Sequence, residues 1–229
     1  MVGPRLLLFG PPGAGKGTHA KRLARDLGVP HIATGEMLRT AIEQGSESGR
    51  QAEAFIRRGE LVPDQLVTSM LKDRLRREDA RGGYLLDGFP RTVPQAQAMA
   101  ADLAELGERL DGVLSMDAPW DVLIKRIAGR FTCGRCQAVF NQFFRIPKQP
   151  GLCDECGGPL IQRVDDQEQA ARLRLAEYEA KTSPVLAFFS AQGVPIWTVL
   201  STDVVDEVYA HIRKVVARIG QASGNDGRN

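Results

Sequence analysis

Cysteine and histidine are scarce in this chain of 229 residues, four and three respectively, and no long apolar run is present. The first run, Leu6 to Phe9, is stopped by Gly10. It is far shorter than a signal-peptide core or a spanning helix, so the protein is expected to stay in the cytoplasm, off the membrane. An excess of charge of one sign is missing as well. Lys and Arg total 30 against 28 Asp and Glu, a formal charge of +2, which removes an overall basic field as a means of holding nucleic acid or an anionic surface. There is no internal repeat, and Gln221 to Asn229 contain no large apolar residue, so 221–229 are expected to be disordered. What remains is an ordinary globular composition, 43% hydrophobic and 25% charged, sufficient for one domain with inserts. Function has to be sought in local sites.

The first of these is Gly10-Pro-Pro-Gly-Ala-Gly-Lys-Gly-Thr18, which matches GxxxxGK and follows the apolar Arg5 to Phe9. Such a loop turns successive backbone N–H groups onto an anion, adds the positive end of a helix dipole, and lets Lys16 reach the β- and γ-phosphates of a nucleotide. The required context is present. Ala20, Leu23, Ala24 and Leu27 recur at helical spacing after Lys16, and Gly28 closes the helix. Gly17 stands where the generic motif has Ser or Thr, and Thr18 comes one place later.

Further along, His31 to Arg39 read as a short strand turning at Thr34-Gly35 into a helix that ends near Gly45. Thr34 fits an N-cap, and Arg39 is either a surface charge or a ligand. A second helix, Ser48 to Arg58, leads to Leu61-Val62-Pro63-Asp64, so 33–62 form a helical insert. Gly82 to Asp87 read as a buried strand ending in a carboxylate at the ligand edge of a parallel sheet. Asp87 is the magnesium candidate, a plain turn residue being the alternative. Gly88-Phe89-Pro90-Arg91 follow it, with Gln95 one turn into the next helix. Asp111 to Met116 are the next strand. Arg126 and Arg130 share a helical face after Pro119. A long helix is expected through Arg172, Arg174 and Tyr178 towards Pro184, then a last strand, Pro195 to Val199, and a final helix capped by Asp203. Five strands alternating with helices predict an α/β fold, a parallel sheet covered on both faces.

All four cysteines fall in one segment as Cys133-Gly-Arg-Cys136 and Cys153-Asp-Glu-Cys156. Paired CxxC spacing predicts a closed tetrahedral site of four thiolates holding a structural Zn2+, with two disulfides or a redox dithiol as the alternative. Arg135, Phe143, Phe144, Arg145 and Lys148 in the same segment suit a nucleic-acid-binding ribbon, but that function leaves the phosphate loop unexplained.

These motifs, with Arg163-Val-Asp-Asp166 and Arg174, resemble the adenylate kinases, in the long-lid bacterial type with a zinc-holding lid. The resemblance implies the P-loop nucleoside monophosphate kinase fold with a core of 1–32, 63–128 and 167–220. It also implies an AMP-binding insert of 33–62 and a zinc-ribbon-like lid of 129–166. The reaction implied is ATP + AMP ⇌ 2 ADP with Mg2+, in adenine nucleotide homeostasis, by a monomer that binds neither nucleic acid nor membrane. Position by position, Gly13, Ala14, Gly15, Lys16, Gly17 and Thr18 would hold ATP phosphates, with Arg130, Val139, Phe140 and Asp203 on the ATP side. Thr34, Arg39, Glu60, Leu61, Val62, Gly88, Phe89, Pro90, Arg91 and Gln95 would meet AMP, together with Arg163 and Arg174. The catalytic set would be Lys16, Asp87, Arg91, Arg126, Arg130, Arg163 and Arg174. Phosphoryl transfer needs in-line positioning and charge compensation, which arginine forks supply, so His19, His31 and His211 are assigned to packing or surface. Thr34 and Gln95 favour adenine over a pyrimidine base. Glu36 stands where the family usually has Asp, and Leu200-Ser-Thr-Asp203 lacks the family's Asp-Gly.

Overall fold

The computed structural model describes residues 3–201 and 204–224. Its elements run β1 (Arg5–Phe9), α1 (Lys16–Leu27), β2 (His31–Ala33), α2 (Thr34–Glu43), α3 (Glu47–Arg58), α4 (Asp64–Leu75), α5 (Glu78–Arg81), β3 (Tyr84–Asp87) and α6 (Val93–Glu105). There follow β4 (Gly112–Asp117), α7 (Trp120–Ala128), β5 (Arg130–Cys133), β6 (Val139–Asn141), β7 (Leu160–Ile161), α8 (Glu168–Glu177), α9 (Pro184–Ala191), β8 (Ile196–Leu200) and α10 (Val205–Gly224).

Five strands form a parallel sheet in the order β2-β3-β1-β4-β8. Successive side chains of a strand face opposite sides, and here both sides are apolar. Leu6 and Leu8 of β1 join α1, α7, α8 and α10 through Leu23, Ile127, Leu175 and Ile212. Leu7 and Phe9 join α4, α6 and α9 through Leu71, Met99 and Phe189. Burying each such Leu contributes about 1.5–3 kcal/mol, so the sheet is held from both faces. The doubly covered parallel sheet expected from the alternating pattern is present.

Parallel strands end on one edge. Register pairs Leu8 with Asp87 and Ala33 with Asp87, so the phosphate loop, Asp87 and the start of α2 come together there. The loop enters α1 through Gly15, whose φ of 87° only glycine adopts freely. Beyond this edge α2 and α3 pack so closely that a Cβ on Gly49 would lie 2.1 Å from the Ala41 carbonyl oxygen. Strands β6-β5-β7 form a separate antiparallel sheet with Phe140, Cys133, Ala138 and Cys153 beneath it.

Several local expectations shift. The α3 cap is Ser46, whose hydroxyl accepts from the Gly49 N–H at 3.1 Å, because its side chain reaches that orphan donor. Thr34 is no cap: it is the first residue of α2, and its hydroxyl donates to the Gly88 carbonyl at 2.8 Å. The long helix expected towards Pro184 is interrupted by a π-turn, Tyr178–Thr182, before α9. α10 continues past Gln221 to Gly224, since Ala and Ser extend a helix already anchored by Val208 and Ile212. Asp203 and 225–229 lie outside the described residues.

Candidate active site

A single trough runs along the strand-end edge, with the phosphate loop and β3 on one side and the β5–β6 sheet on the other. Gly13, Gly15, Lys16, Gly17, Thr18, Thr34, Arg39, Glu60, Leu61, Val62, Asp87, Gly88, Phe89, Pro90, Arg91 and Gln95 all line it, as do Arg126, Arg130, Val139, Phe140, Arg163 and Arg174. Ala14 does not: its side chain is fully buried against the sheet, and only its backbone belongs to the loop.

Lys16 Nζ donates to the carbonyls of Gly10 at 2.6 Å and Pro11 at 2.9 Å. Burial brings its pKa down to about 8; Asp87 resists this, while Arg91, Arg174 and Arg130 add to it. Asp87 sits 3.5 Å from His31 Nε2. Burial works to raise its pKa, but His31, Lys16 and Arg91 outweigh that and hold the group below its ordinary value. The carboxylate is therefore ionised, and His31 backs it.

Positive charge is concentrated around these two groups. Arg130 holds Asp166 with both Nε, at 2.8 Å, and a terminal nitrogen. Arg174 reaches Asp165 Oδ2 at 2.8 Å and Asp166 Oδ1 at 3.4 Å. Arg91 Nε donates to the Gly88 carbonyl at 2.7 Å. The guanidinium groups of Arg39 and Arg163 make no hydrogen bond or ion pair among the described residues. Burial lowers the pKa of Arg163 to about 9, with Arg130 and Arg39 adding to it, and burial with Arg174 lowers that of Arg91 to about 10. Guanidinium keeps its proton at neutral pH, so these are buried positive charges. An anion of several charges is the natural complement.

Gln95 is fixed rather than free. Its Oε1 accepts from the Arg91 N–H at 2.7 Å and its Nε2 donates to Asp64 Oδ1 at 2.7 Å, which leaves one lone pair and one N–H for a base.

On the far side, the Sγ atoms of Cys133, Cys136, Cys153 and Cys156 all lie within 4.8 Å of one another, with Cys133–Cys156 and Cys136–Cys153 at 3.5 Å. Four sulfurs bound tetrahedrally to zinc lie about 3.8 Å apart, given a Zn–S distance of about 2.3 Å. The N–H groups of Cys136 and Arg135 point at Cys133 Sγ, at 3.5 and 3.4 Å, and hold its pKa down to about 6, where the thiolate forms readily. No disulfide is present among them. The cluster fits a four-sulfur metal site with no open position.

A model of the adenylate kinase family matches residues 8–194. The chain is 44% identical over 214 residues to the adenylate kinase of Thermodesulfovibrio yellowstonii, spanning 93% of this chain and 99% of that protein. It is 42% identical over 213 residues to that of Methanosarcina barkeri, spanning 93% and 98%, and 49% identical over 193 residues to that of Streptomyces griseus, spanning 84% and 88%. The chain belongs to the adenylate kinase family. Its activity is therefore ATP:AMP phosphotransfer, the family's reaction, for which adenylate kinases use Mg2+ with ATP. Asp87 suits that ion: an ionised, largely buried carboxylate beside the phosphate lysine.

Within this family frame the partners of several residues can be named. Arg126 lines the trough with the other arginines. It donates to Ser201 Oγ at 3.0 Å and lies over the Phe144 ring at 5.3 Å, and that Ser201 Oγ stands 3.2 Å from where a Cβ on Gly15 of the phosphate loop would be. His19 is buried and stacks on Tyr209, ring centroids 6.0 Å apart, as a packing role requires. His31, in contrast, touches Asp87. Asp165 and Asp166, which orient Arg130 and Arg174, and Gln137, Phe144 and Ser201 were not singled out as site residues from sequence. The first two could have been found, as two acids placed among arginines.

Among the described residues no helix is long and apolar enough to cross a membrane.

Proposed function

We propose that the trough performs reversible phosphoryl transfer between ATP, seated on the phosphate loop, and AMP, seated against α2 and the Gly88–Arg91 turn. The observation that carries this division is the pair of arginines whose guanidinium groups have no hydrogen-bond partner among the described residues, Arg39 on α2 and Arg163 near the end of the lid, both lining the trough that holds Lys16. Lys16, Gly13, Gly15, Gly17 and Thr18 hold the donor's phosphates, and Arg39 and Arg91 the acceptor's phosphate. Arg130, Arg163 and Arg174 compensate charge on the group in transit. Arg126, with Ser201 and Phe144 beside it, serves the donor's base. Residues 33–62 act as the AMP-binding insert, and 129–166 as a lid that excludes water when it lies on the core.

Magnesium, when bound with ATP, supplies charge neutralisation on the phosphate oxygens, with Asp87 as the residue to hold it or its waters. Zinc in the four-cysteine site would keep the lid folded and do no chemistry. Such thiols stay metal-bound in a reducing cytoplasm, and a monomer needing neither nucleic acid nor membrane suffices.

The test is a coupled assay offering AMP, CMP, UMP and GMP with ATP. AMP is expected to be used far ahead of the others. Comparable rates with CMP or UMP would overturn the acceptor assignment.

A further inference from the structure

Among the described residues Gln137 is the only non-glycine with a positive φ, 60°. It follows Cys136, and its N–H donates to the Cys133 carbonyl at 3.0 Å, closing the first cysteine knuckle. The second knuckle provides an internal control. There the N–H of Gly157 donates to the Cys153 carbonyl at 2.8 Å with a φ of 67°, the same turn built with the residue that adopts it freely. Left-handed backbone is disfavoured for a residue with a Cβ, so the turn gains nothing from glutamine. The two knuckles differ in where they face. Gln137 lines the trough and Gly157 does not. Backbone strain kept only on the side that meets ligand points to a task for the side chain.

That task is open in the protein itself, since the side-chain amide of Gln137 makes no hydrogen bond among the described residues. Its position along the trough follows from its neighbour: Lys21 of α1 donates to the Cys136 carbonyl at 3.1 Å, seating this knuckle over the first turns of α1. One turn before Lys21 on the same helix, Gly17 is exposed, with nothing within 4 Å of where its Cβ would stand. On the donor assignment made above, on which this inference rests, phosphates occupy the helix start and the base lies towards Arg126 and Phe144. The group between them is the sugar. A neutral amide, which both donates and accepts, matches hydroxyls rather than phosphate oxygens, for which the trough already has cations.

We infer that the Gln137 side chain binds a ribose hydroxyl of the donor nucleotide and makes the enzyme selective for ribose over deoxyribose triphosphates. The experiment uses the zinc-loaded full chain and its Gln137→Gly variant, with ATP, 2′-deoxyATP and 3′-deoxyATP as donors at saturating AMP. Loss of one hydrogen bond should raise the KM for ATP roughly fivefold, with kcat and the KM for AMP within about twofold. The variant should also lose the wild type's preference for ATP over one of the two deoxy donors. Its melting temperature should equal or exceed the wild type's, because glycine relaxes the turn. An unchanged KM for ATP, or an equal rise for all three donors, overturns the inference alone. A rise confined to AMP overturns it together with the placing of donor and acceptor.

Discussion

On the sheet side of the trough, Asp87 ends, and Lys16 and Arg91 follow, strands whose Leu6, Leu7, Leu85 and Leu86 are fully buried. On the lid side, Phe140 and Ala138 are buried with the thiols, whereas Phe143, Ile146 and Ile161 are more than half exposed. The first wall is held in place by apolar burial from both faces of a sheet. The second has little of that and is organised around four sulfurs, where a zinc ion would contribute on the order of 10 kcal/mol of binding energy to folding. Charged groups placed by the first wall should survive perturbation of the second, and the reverse should hold for the lid's closure. This difference orders the expected effects.

The largest belongs to Lys16. Lys16→Ala should reduce the single-turnover transfer rate on the order of a hundredfold or more, the about 3–4 kcal/mol carried by one preorganised donor, while AMP affinity changes little. A variant keeping more than a tenth of the rate would remove Lys16 from the chemistry.

Next come Arg39→Ala and Arg91→Ala. Each should raise the KM for AMP roughly tenfold or more, as loss of a charged hydrogen bond does, with ATP binding to the isolated enzyme nearly unchanged. Calorimetric titration with each nucleotide separates the two, and an equal loss of ATP affinity would place the sites the wrong way round.

A smaller effect is expected at the joint between the walls. Lys21→Met removes the bond to the Cys136 carbonyl. It should loosen lid closure, raising the KM for ATP about two- to fourfold with the metal content unchanged, since an exposed contact of this kind contributes about 1 kcal/mol or less. Unaltered ATP kinetics would show that the contact does not contribute to closure.

The smallest concerns acid stability and lies wholly on the sheet side. Burial first, then Arg22 and Arg126, depress the His19 pKa to about 4. Between about pH 6.5 and 4 the unfolded chain binds a proton there that the native state refuses, so this contribution to stability is complete above 6.5 and is lost as pH falls towards 4. Denaturant midpoints of His19→Gln should fall less steeply across that range. Parallel slopes would mean that His19 is not buried in its neutral form.

Much of this could be read from the chain because its chemistry is local. The phosphate loop and the two cysteine pairs are contiguous motifs, and the apolar strands before Gly10 and Asp87 carry their own turn signals. Elsewhere the deciding contacts join distant segments. Arg126 meets Ser201 across the trough, Thr34 turns from a cap into a donor to Gly88, and His31 meets Asp87 only because β2 pairs with β3. No periodicity encodes such pairs. The π-turn after α8 and the positive φ of Gln137 are backbone departures that local propensity argues against.

The claim that the lid's metal organises and does not react is tested most directly by the Cys133→Ser/Cys136→Ser variant, with metal content, melting temperature and single-turnover rate measured from cold to warm. The account predicts loss of about one equivalent of metal, a lower melting temperature, and transfer that persists in the cold, where the lid still closes transiently, but fails well below the wild type's limit on warming. A variant that melts like the wild type yet transfers no phosphoryl group even in the cold would contradict it.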